Sequence, residues 1–247
     1  MSLSWLKRKH LRIGLGAQRV MVSGAKAVEL EAADDWRAAL DALPGILGAH
    51  KAREASVVLA DQFVRYALLP WNQAVKSREQ WLALARHRFG ALHGAAAAAW
   101  DVKLAETAPL GPRLACAVDR ELVEALVSNF VTAGVYLRSV EPFLVAAFNR
   151  IRKMVGNASC WIVVEEPGRL TLALLQRGAW LAIRSRRVDA RWRSALPEIL
   201  ERESAFLGLD QACTRVIVCA QGEFDPQMHD AWRAQAMSYR DLALAWE

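Results

Sequence analysis

At 247 residues and 27.4 kDa, the chain can form one large domain or two small ones around a sizeable core. Hydrophobic residues make up 54% against 23% charged, and mean hydropathy is +0.10, which excludes a mostly disordered chain. The net charge of +6 comes from 32 basic and 26 acidic residues, 25 of the basic ones being arginine. It concentrates at residues 7–12 and 184–193, without the recurring mix of aromatics and lysines that nucleic-acid binders carry. We therefore expect no nucleic-acid partner; an acidic protein or an anionic membrane leaflet suits this charge better.

Cys116, Cys160, Cys213 and Cys219 show no C-x-x-C spacing, so neither a disulfide framework nor a zinc site is expected. The five histidines are scattered, and Ser159, Ser185 and Ser204 lack a nucleophile context. The first ten residues are basic where a signal peptide needs an apolar stretch, and no apolar run approaches the roughly 20 residues of a membrane span. A cytoplasmic protein is expected.

Residues 11–15, 19–22 and 25–30 read as a meander of three strands punctuated by Gly14, Gly16, Ser23 and Gly24. A helix follows from about Asp34, with Trp36, Leu40 and Leu43 on one face, Asp34 or Asp35 as cap, and Pro44-Gly45 near its end. Residues 56–59 form a continuous apolar strand. Residues 62–69 are extended. Ser77 and Gln80 make a capping box before Trp81, Leu84 and Phe89. Residues 100–104 and 114–118 alternate as half-wet strands, while the alanine run 95–99 fits a helix or a tight packing segment equally. A helix over 119–133 stops at Gly134, residues 136–140 are extended, and Pro142 opens another helix.

The order then repeats. Residues 160–164, 170–175 and 180–183 are strands with turns at Pro167-Gly168 and 176–178. A helix spans about 194–207, and 215–219 is an apolar strand. Three meandering strands, a helix and a strand thus occur twice, about 145 residues apart, without sequence identity between the copies. Residues 57–59 and 216–218 are expected to be buried parallel strands.

This duplication with an insertion resembles the actin-like ATPase superfamily. It is most similar to the actin-like cytoplasmic proteins of bacterial inner-membrane assembly platforms: the PilM-type protein of type IV pili and the cytoplasmic domain of the GspL-type protein of type II secretion. The segments that carry the likeness are Val57-Val58-Leu59-Ala60-Asp61, Val64 to Trp71, Trp81 to Phe89, Ala117-Val118-Asp119 through Gly134 to Val140-Glu141-Pro142, and Cys160 to Gly178. The resemblance implies an α/β fold of two actin-like (ribonuclease H-like) domains. The first would span 10–155 with a small subdomain inserted at about 62–118, and the second 156–247.

Actin-like ATPases grip phosphates between two hairpins, each with an acidic residue near glycine. Here the first hairpin, with Gly14 and Gly16, has no carboxylate between Leu11 and Lys26. In the second, Glu165 is the nearest match, followed by Gly168, and the adenosine-side turn is reduced to Ala220-Gln221-Gly222. A degenerate cleft for ATP and Mg²⁺ would use Gly14, Gly16, Glu165, Gly168 and Gly222, with Asp61 or Asp189 as an alternative carboxylate source. Tight turns and a solvated acidic pair explain the same residues.

The resemblance implies a nonenzymatic scaffold, without cofactor or metal, peripheral to the inner membrane. It would dock a short segment of a small membrane-anchored protein, with a hexameric assembly ATPase and a second copy of the chain as further candidate partners. The alternative is an ATP-binding or ATP-hydrolysing protein. Phe63, Arg65, Tyr66 and Trp71 are the candidate partner-binding residues, Phe63 and Tyr66 reading equally as core. Trp5, Trp71 and Trp232 fall in expected loops or termini and are further candidates for a docking surface.

Overall fold

The computed structural model describes residues 10–31, 35–50, 52–105, 111–209, 213–220 and 232–238. The first half begins with the antiparallel meander β1 (His10–Leu15), β2 (Arg19–Val22) and β3 (Val28–Glu29), the β1–β2 turn closed by Gly16 N donating to Arg19 O at 3.1 Å. Helix α1 (Arg37–Ala49) then crosses to β4 (Glu54–Leu59), which lies parallel to β1. The sheet is completed by β8 (Tyr136–Pro142), parallel to β4, in the order β3-β2-β1-β4-β8. The second half repeats this with β9 (Cys160–Glu166), β10 (Arg169–Gln176), β11 (Ala179–Arg187), β12 (Arg215–Ala220) and β13 (Arg233–Ser238), in the order β11-β10-β9-β12-β13. Each strand has its counterpart at the same place in the other sheet, so the duplication expected from the pattern is present. Val57, Leu59 and residues 216–218 are buried in parallel strands, but Val58, expected to be buried too, is only half-buried, because β4 is fully covered on one face alone.

Between β4 and helix α3 (Arg120–Thr132) the chain builds a separate antiparallel sheet of β5 (Val64–Leu69), β6 (Trp100–Leu104) and β7 (Arg113–Asp119), in the order β5-β7-β6. Helix α2 (Arg78–His93) packs Trp81, Ala85 and Phe89 on one face of it. The Ser77–Gln80 capping box is formed, Ser77 Oγ accepting from Gln80 N at 3.2 Å and Gln80 Oε1 from Ser77 N at 3.2 Å. The other face, with Val64, Leu114 and Cys116, joins the main core. That core also takes in α1, α3, α4 (Phe143–Val155) and the inner face of β9. Helix α5 (Trp192–Phe206) covers the opposite face of the second sheet through Trp192, Leu196 and Leu200.

Several elements depart from the sequence reading. Helix α1 runs through Pro44 to Ala49, because Leu40, Leu43, Ile46 and Leu47 all bury on one side and outweigh the lost backbone hydrogen bond. Of the two cap candidates, Asp35 accepts from Arg37 N, as the sequence reading allowed, and Asp34 lies outside the described residues. The third strand shrinks to two exposed residues, Val28 and Glu29. The alanine run lies in a 3₁₀ segment, Gly94–Ala99, that buries none of its residues. Strand β13 was not expected, and beside it Trp232 is buried rather than part of an exposed loop.

The β10–β11 turn consists of Arg177 (φ 51°) and Gly178 (φ 77°), the left-handed pair of a type I′ hairpin. A Cβ on Gly178 would lie 2.9 Å from Gly156 O and 3.2 Å from Asn157 Oδ1. Gly178→Ala is therefore expected to destabilise the fold by about 2 kcal/mol, through backbone strain together with overlap against another turn. Arg177→Asn, in the same conformation, is expected to be neutral or mildly stabilising. Urea denaturation of the two variants measures the contrast.

Candidate functional site

Among the described residues, two places bear on function first: the seam where the two hairpins face each other, and a groove between the first sheet and the inserted sheet.

At the seam, β4 ends by delivering Asp61 into the core, 2% exposed, and β9 ends by delivering Glu166, 4% exposed. The backbone N–H of Asp61 donates to Glu166 Oε1 at 2.8 Å. Asp61 Oδ1 accepts from Leu144 N at 3.0 Å and from the Tyr66 hydroxyl. Asp61 thereby caps helix α4, whose own N-cap residue is Pro142 and offers no side-chain acceptor. Thr171, fully buried, lies against the same carboxylate. Burial pushes the Asp61 carboxyl up to about 6, although hydrogen bonds from Leu144 and Tyr66 oppose the rise. Glu166 is raised as well, first by burial and then by the neighbouring Asp61 charge. The Tyr66 hydroxyl is held protonated by burial and by the same carboxylate. Asp61 Oδ2 and Glu166 Oε2 make no hydrogen bond to the described residues.

The cavity left between the hairpins, lined by Gly16, Ala17, Gln18 and Arg19 on one side and Glu166 and Pro167 on the other, is about 10 Å³. That is room for at most one water, far below the several hundred Å³ of a nucleotide pocket. Glu165 does not face it. Successive strand residues point to opposite faces, and Glu165 turns toward α5, accepting from Trp192 Nε1 at 3.2 Å and pairing with Arg193 at 3.5 Å. Glu166, one residue on, is the acid that faces the seam. Asp189 is occupied at the entry of α5, accepting from Arg191 N at 2.9 Å. Gly14 sits within β1 against Met21 and Val58, and Gly16 closes the first turn; neither has a left-handed backbone. Gly168 (φ 70°) makes the second turn, and Gly222 lies outside the described residues. With no carboxylate from the first hairpin, Asp61 engaged by Leu144 N and the Tyr66 hydroxyl, and Glu166 engaged by the Asp61 backbone, the described residues do not fit a Mg-nucleotide. Among the described residues no group of three His, Cys, Asp or Glu side chains could hold a metal ion.

The groove is larger, about 1060 Å³. Strands β1 and β4 bury Leu11, Ile13, Ala55 and Val57 against helices on one face, and turn His10, Arg12, Glu54 and Ser56 to the other. With Ser139 and Glu141 of β8 these form a polar floor, on which the Ser139 hydroxyl donates to Ser56 Oγ at 3.0 Å. Helix α4 supplies one wall, and Ala105 and Leu114 of the inserted sheet the other. Trp180, packed on Phe148 with ring centres 4.7 Å apart, closes one end. Arg12, Arg138, Arg150 and Arg152 line the groove against only Glu54 and Glu141. Glu54 already lies 3.8 Å from both His10 and Arg138. Among the described residues strand β8 is the edge of its sheet, and its outer backbone groups pair with no described strand, which leaves them to an extended segment.

Of the four partner-binding candidates from the sequence, Phe63 is buried, and the Tyr66 hydroxyl is engaged by Asp61. Arg65 is exposed beside Trp100, its guanidinium 5.9 Å from the ring centre and donating to Gln62 O at 3.1 Å. Trp71 is 38% exposed and stacked on Trp81. The fold does not bring the four together: two face inward, and the other two lie at opposite ends of β5. The groove floor was missed by sequence reasoning, although its signal, polar residues alternating at the starts of β1 and β4, is visible in the chain.

Solved structures place this architecture. The chain superposes on a PilM–PilN type IV pilus biogenesis complex with a TM-score of 0.64 at 13% identity, covering 85% of this chain and 81% of that one. It also matches the cytoplasmic domain of EpsL, an inner-membrane component of the Vibrio cholerae type II secretion system (TM-score 0.60, 14% identity, 94% and 92% covered). The chain has the actin-like fold. A Bacteroides thetaiotaomicron protein described as having an actin-like ATPase fold and unknown function agrees, with a TM-score of 0.59 at 12% identity over 90% of this chain and 85% of that one. No protein-family model matches the sequence, and no curated protein is similar to it. Among the described residues, no helix of this actin-like chain is long and apolar enough to cross a membrane.

Proposed function

We propose that this actin-like protein is a nonenzymatic scaffold of a type IV pilus or type II secretion assembly platform, located on the cytoplasmic side of the inner membrane. It docks a short cytoplasmic segment of a small membrane-anchored partner in the groove between the first sheet and the inserted sheet. The observation that carries this reading is the contrast between the two sites: about 1060 Å³ of groove beside an unpaired strand edge, against about 10 Å³ at the seam. A polar floor with an open edge suits an extended peptide, whose main chain needs partners along its length. The likeness to a PilM–PilN complex and to the cytoplasmic domain of an inner-membrane secretion component supports the platform assignment. In this reading the first domain spans residues 10–155 with its inserted subdomain at about 62–118, and the second begins near 156.

The test is capture from detergent-solubilised native membranes by the immobilised full chain, with Arg65→Glu beside wild type. Both are expected to recover the same small single-span protein, because Arg65 lies outside the groove. Recovery of no such protein by the folded wild type would contradict the scaffold, and loss in Arg65→Glu alone would move the docking surface to β5. Mg-ATP, titrated calorimetrically, is expected to give no saturable heat.

A further inference from the structure

Several arginines of this chain meet acids of their own. Arg184 and Arg186 lie 4.0 and 3.9 Å from Glu203, Arg193 pairs with Glu165, and Arg120 with Asp101. A cavity of about 550 Å³ on the inserted subdomain gathers three cations that do not. It is lined by Lys76, Arg78 and Arg113, and by no carboxylate among the described residues. None of the three cations is in an ion pair with a described residue.

The walls are aromatic. Trp71 stacks on Trp81 with ring centres 5.9 Å apart, and the Arg113 guanidinium lies 4.8 Å from the Trp81 ring centre. Stacking occupies the faces of a guanidinium and leaves its in-plane N–H edge for an acceptor. Arg113 Nε is buried and has no hydrogen-bond partner among the described residues. Buried and backed by the Trp81 ring, the Arg113 Nε edge would hold an incoming carboxylate more strongly than a solvated cation does, because little water competes, while the exposed Lys76 and Arg78 add attraction at the rim. The cavity also adjoins the groove: Ala105, at the end of β6, lines both.

We infer that this notch is a subsite for a carboxylate side chain of the segment that occupies the groove, with an apolar neighbour of that carboxylate resting on Trp71. The inference builds on the docking reading above and adds a sequence requirement to the partner: an Asp or Glu next to a large apolar residue, beyond the part that lies on the Ser139 floor. Trp71, expected from the sequence to anchor a partner, acquires that role here, in company with Arg113 rather than with Arg65.

Selection of random twelve-residue peptides against the full chain tests this. Peptides selected on wild type, and displaced from Ser139→Trp, are expected to share Asp or Glu beside a large apolar residue. Lys76 and Arg78 are exposed, so the double variant K76E/R78E should fold normally and shift the acidic position toward Lys or Arg. Arg113→Gln should weaken a selected acidic peptide about tenfold while binding its Asp→Ala or Glu→Ala version as wild type does. Groove-dependent peptides with no acidic preference, or an acidic preference unchanged in K76E/R78E, overturn the notch and leave the docking reading standing. Selection of no groove-dependent peptide overturns both.

Discussion

Ser139→Trp is expected to abolish partner capture while the protein stays folded. Ser139 is half-buried on the groove floor, where its hydroxyl donates to Ser56 Oγ. An indole there would occupy the centre of the path between α4 and the inserted sheet, without entering the helix-covered core beneath Val57 and Ala55. Blocking the centre of an interface removes the contacts that dominate its energy, typically 2 kcal/mol or more, so affinity should fall at least about thirtyfold. Ser139→Ala, which loses one hydroxyl pair open to water, should change affinity little. Equal binding by Ser139→Trp and wild type in surface plasmon resonance, with matching melting curves, would mean that the groove is not the docking site.

The second large effect concerns stability. Asp61→Ala strips the buried Leu144 N–H and the Tyr66 hydroxyl of their acceptor, and each orphaned group costs about 1–3 kcal/mol. A loss of about 4 kcal/mol is expected, enough to unfold a marginal domain. Asp61→Asn keeps an oxygen at that place and should cost far less.

The pH dependence follows from the same pair. Below about pH 4 the carboxyls are protonated in both the folded and the unfolded chain, and the folded state is at its best. As pH rises, the unfolded chain releases its protons first, while Asp61 and Glu166 hold theirs because burial and mutual repulsion oppose ionisation. The folded state then binds more protons, so this contribution is lost as pH climbs through 6 and beyond. Glu166→Gln should raise the melting temperature at pH 8 relative to wild type and flatten the slope between pH 5 and 8. Differential scanning calorimetry across that range checks the sign; a wild-type slope that rises with pH and is unaffected by Glu166→Gln would refute this account of the seam.

The repeat was legible because it rests on local periodicity. Val57 to Leu59, Cys160 to Val164 and Val216 to Val218 are apolar runs of strand length between turn residues, and short runs of that kind become buried parallel strands. The cap at Ser77 was legible for the same reason, since it acts within three residues, while Asp119, read as the first helical residue, proves to be the cap of α3. Helix α1 misled because Pro44 is a strong local breaker, and only tertiary burial of Ile46 and Leu47 carries the helix past it. Glu165 and Glu166 could not be told apart without the strand register, which decides which of two neighbours faces the seam. Asp61 stood out only as an alternative carboxylate for the cleft; its role as a helix cap was hidden because its partners Leu144 and Glu166 lie 83 and 105 residues away. The groove is a space between two sheets, and no residue run encodes a space. Only its wet floor, His10 and Arg12 opposite Glu54 and Ser56, leaves a trace in the sequence.

The central claim is that the groove binds a membrane-anchored segment while the hairpin seam stays shut. Site-specific photocrosslinking in the native cell tests it most directly, with benzoylphenylalanine placed at Phe148 on the groove wall and, separately, at Gln18 beside the seam. The account predicts one adduct from position 148, to the cytoplasmic segment of a small single-span membrane protein, and none from position 18. An adduct to that protein from position 18 but not from 148 would contradict it.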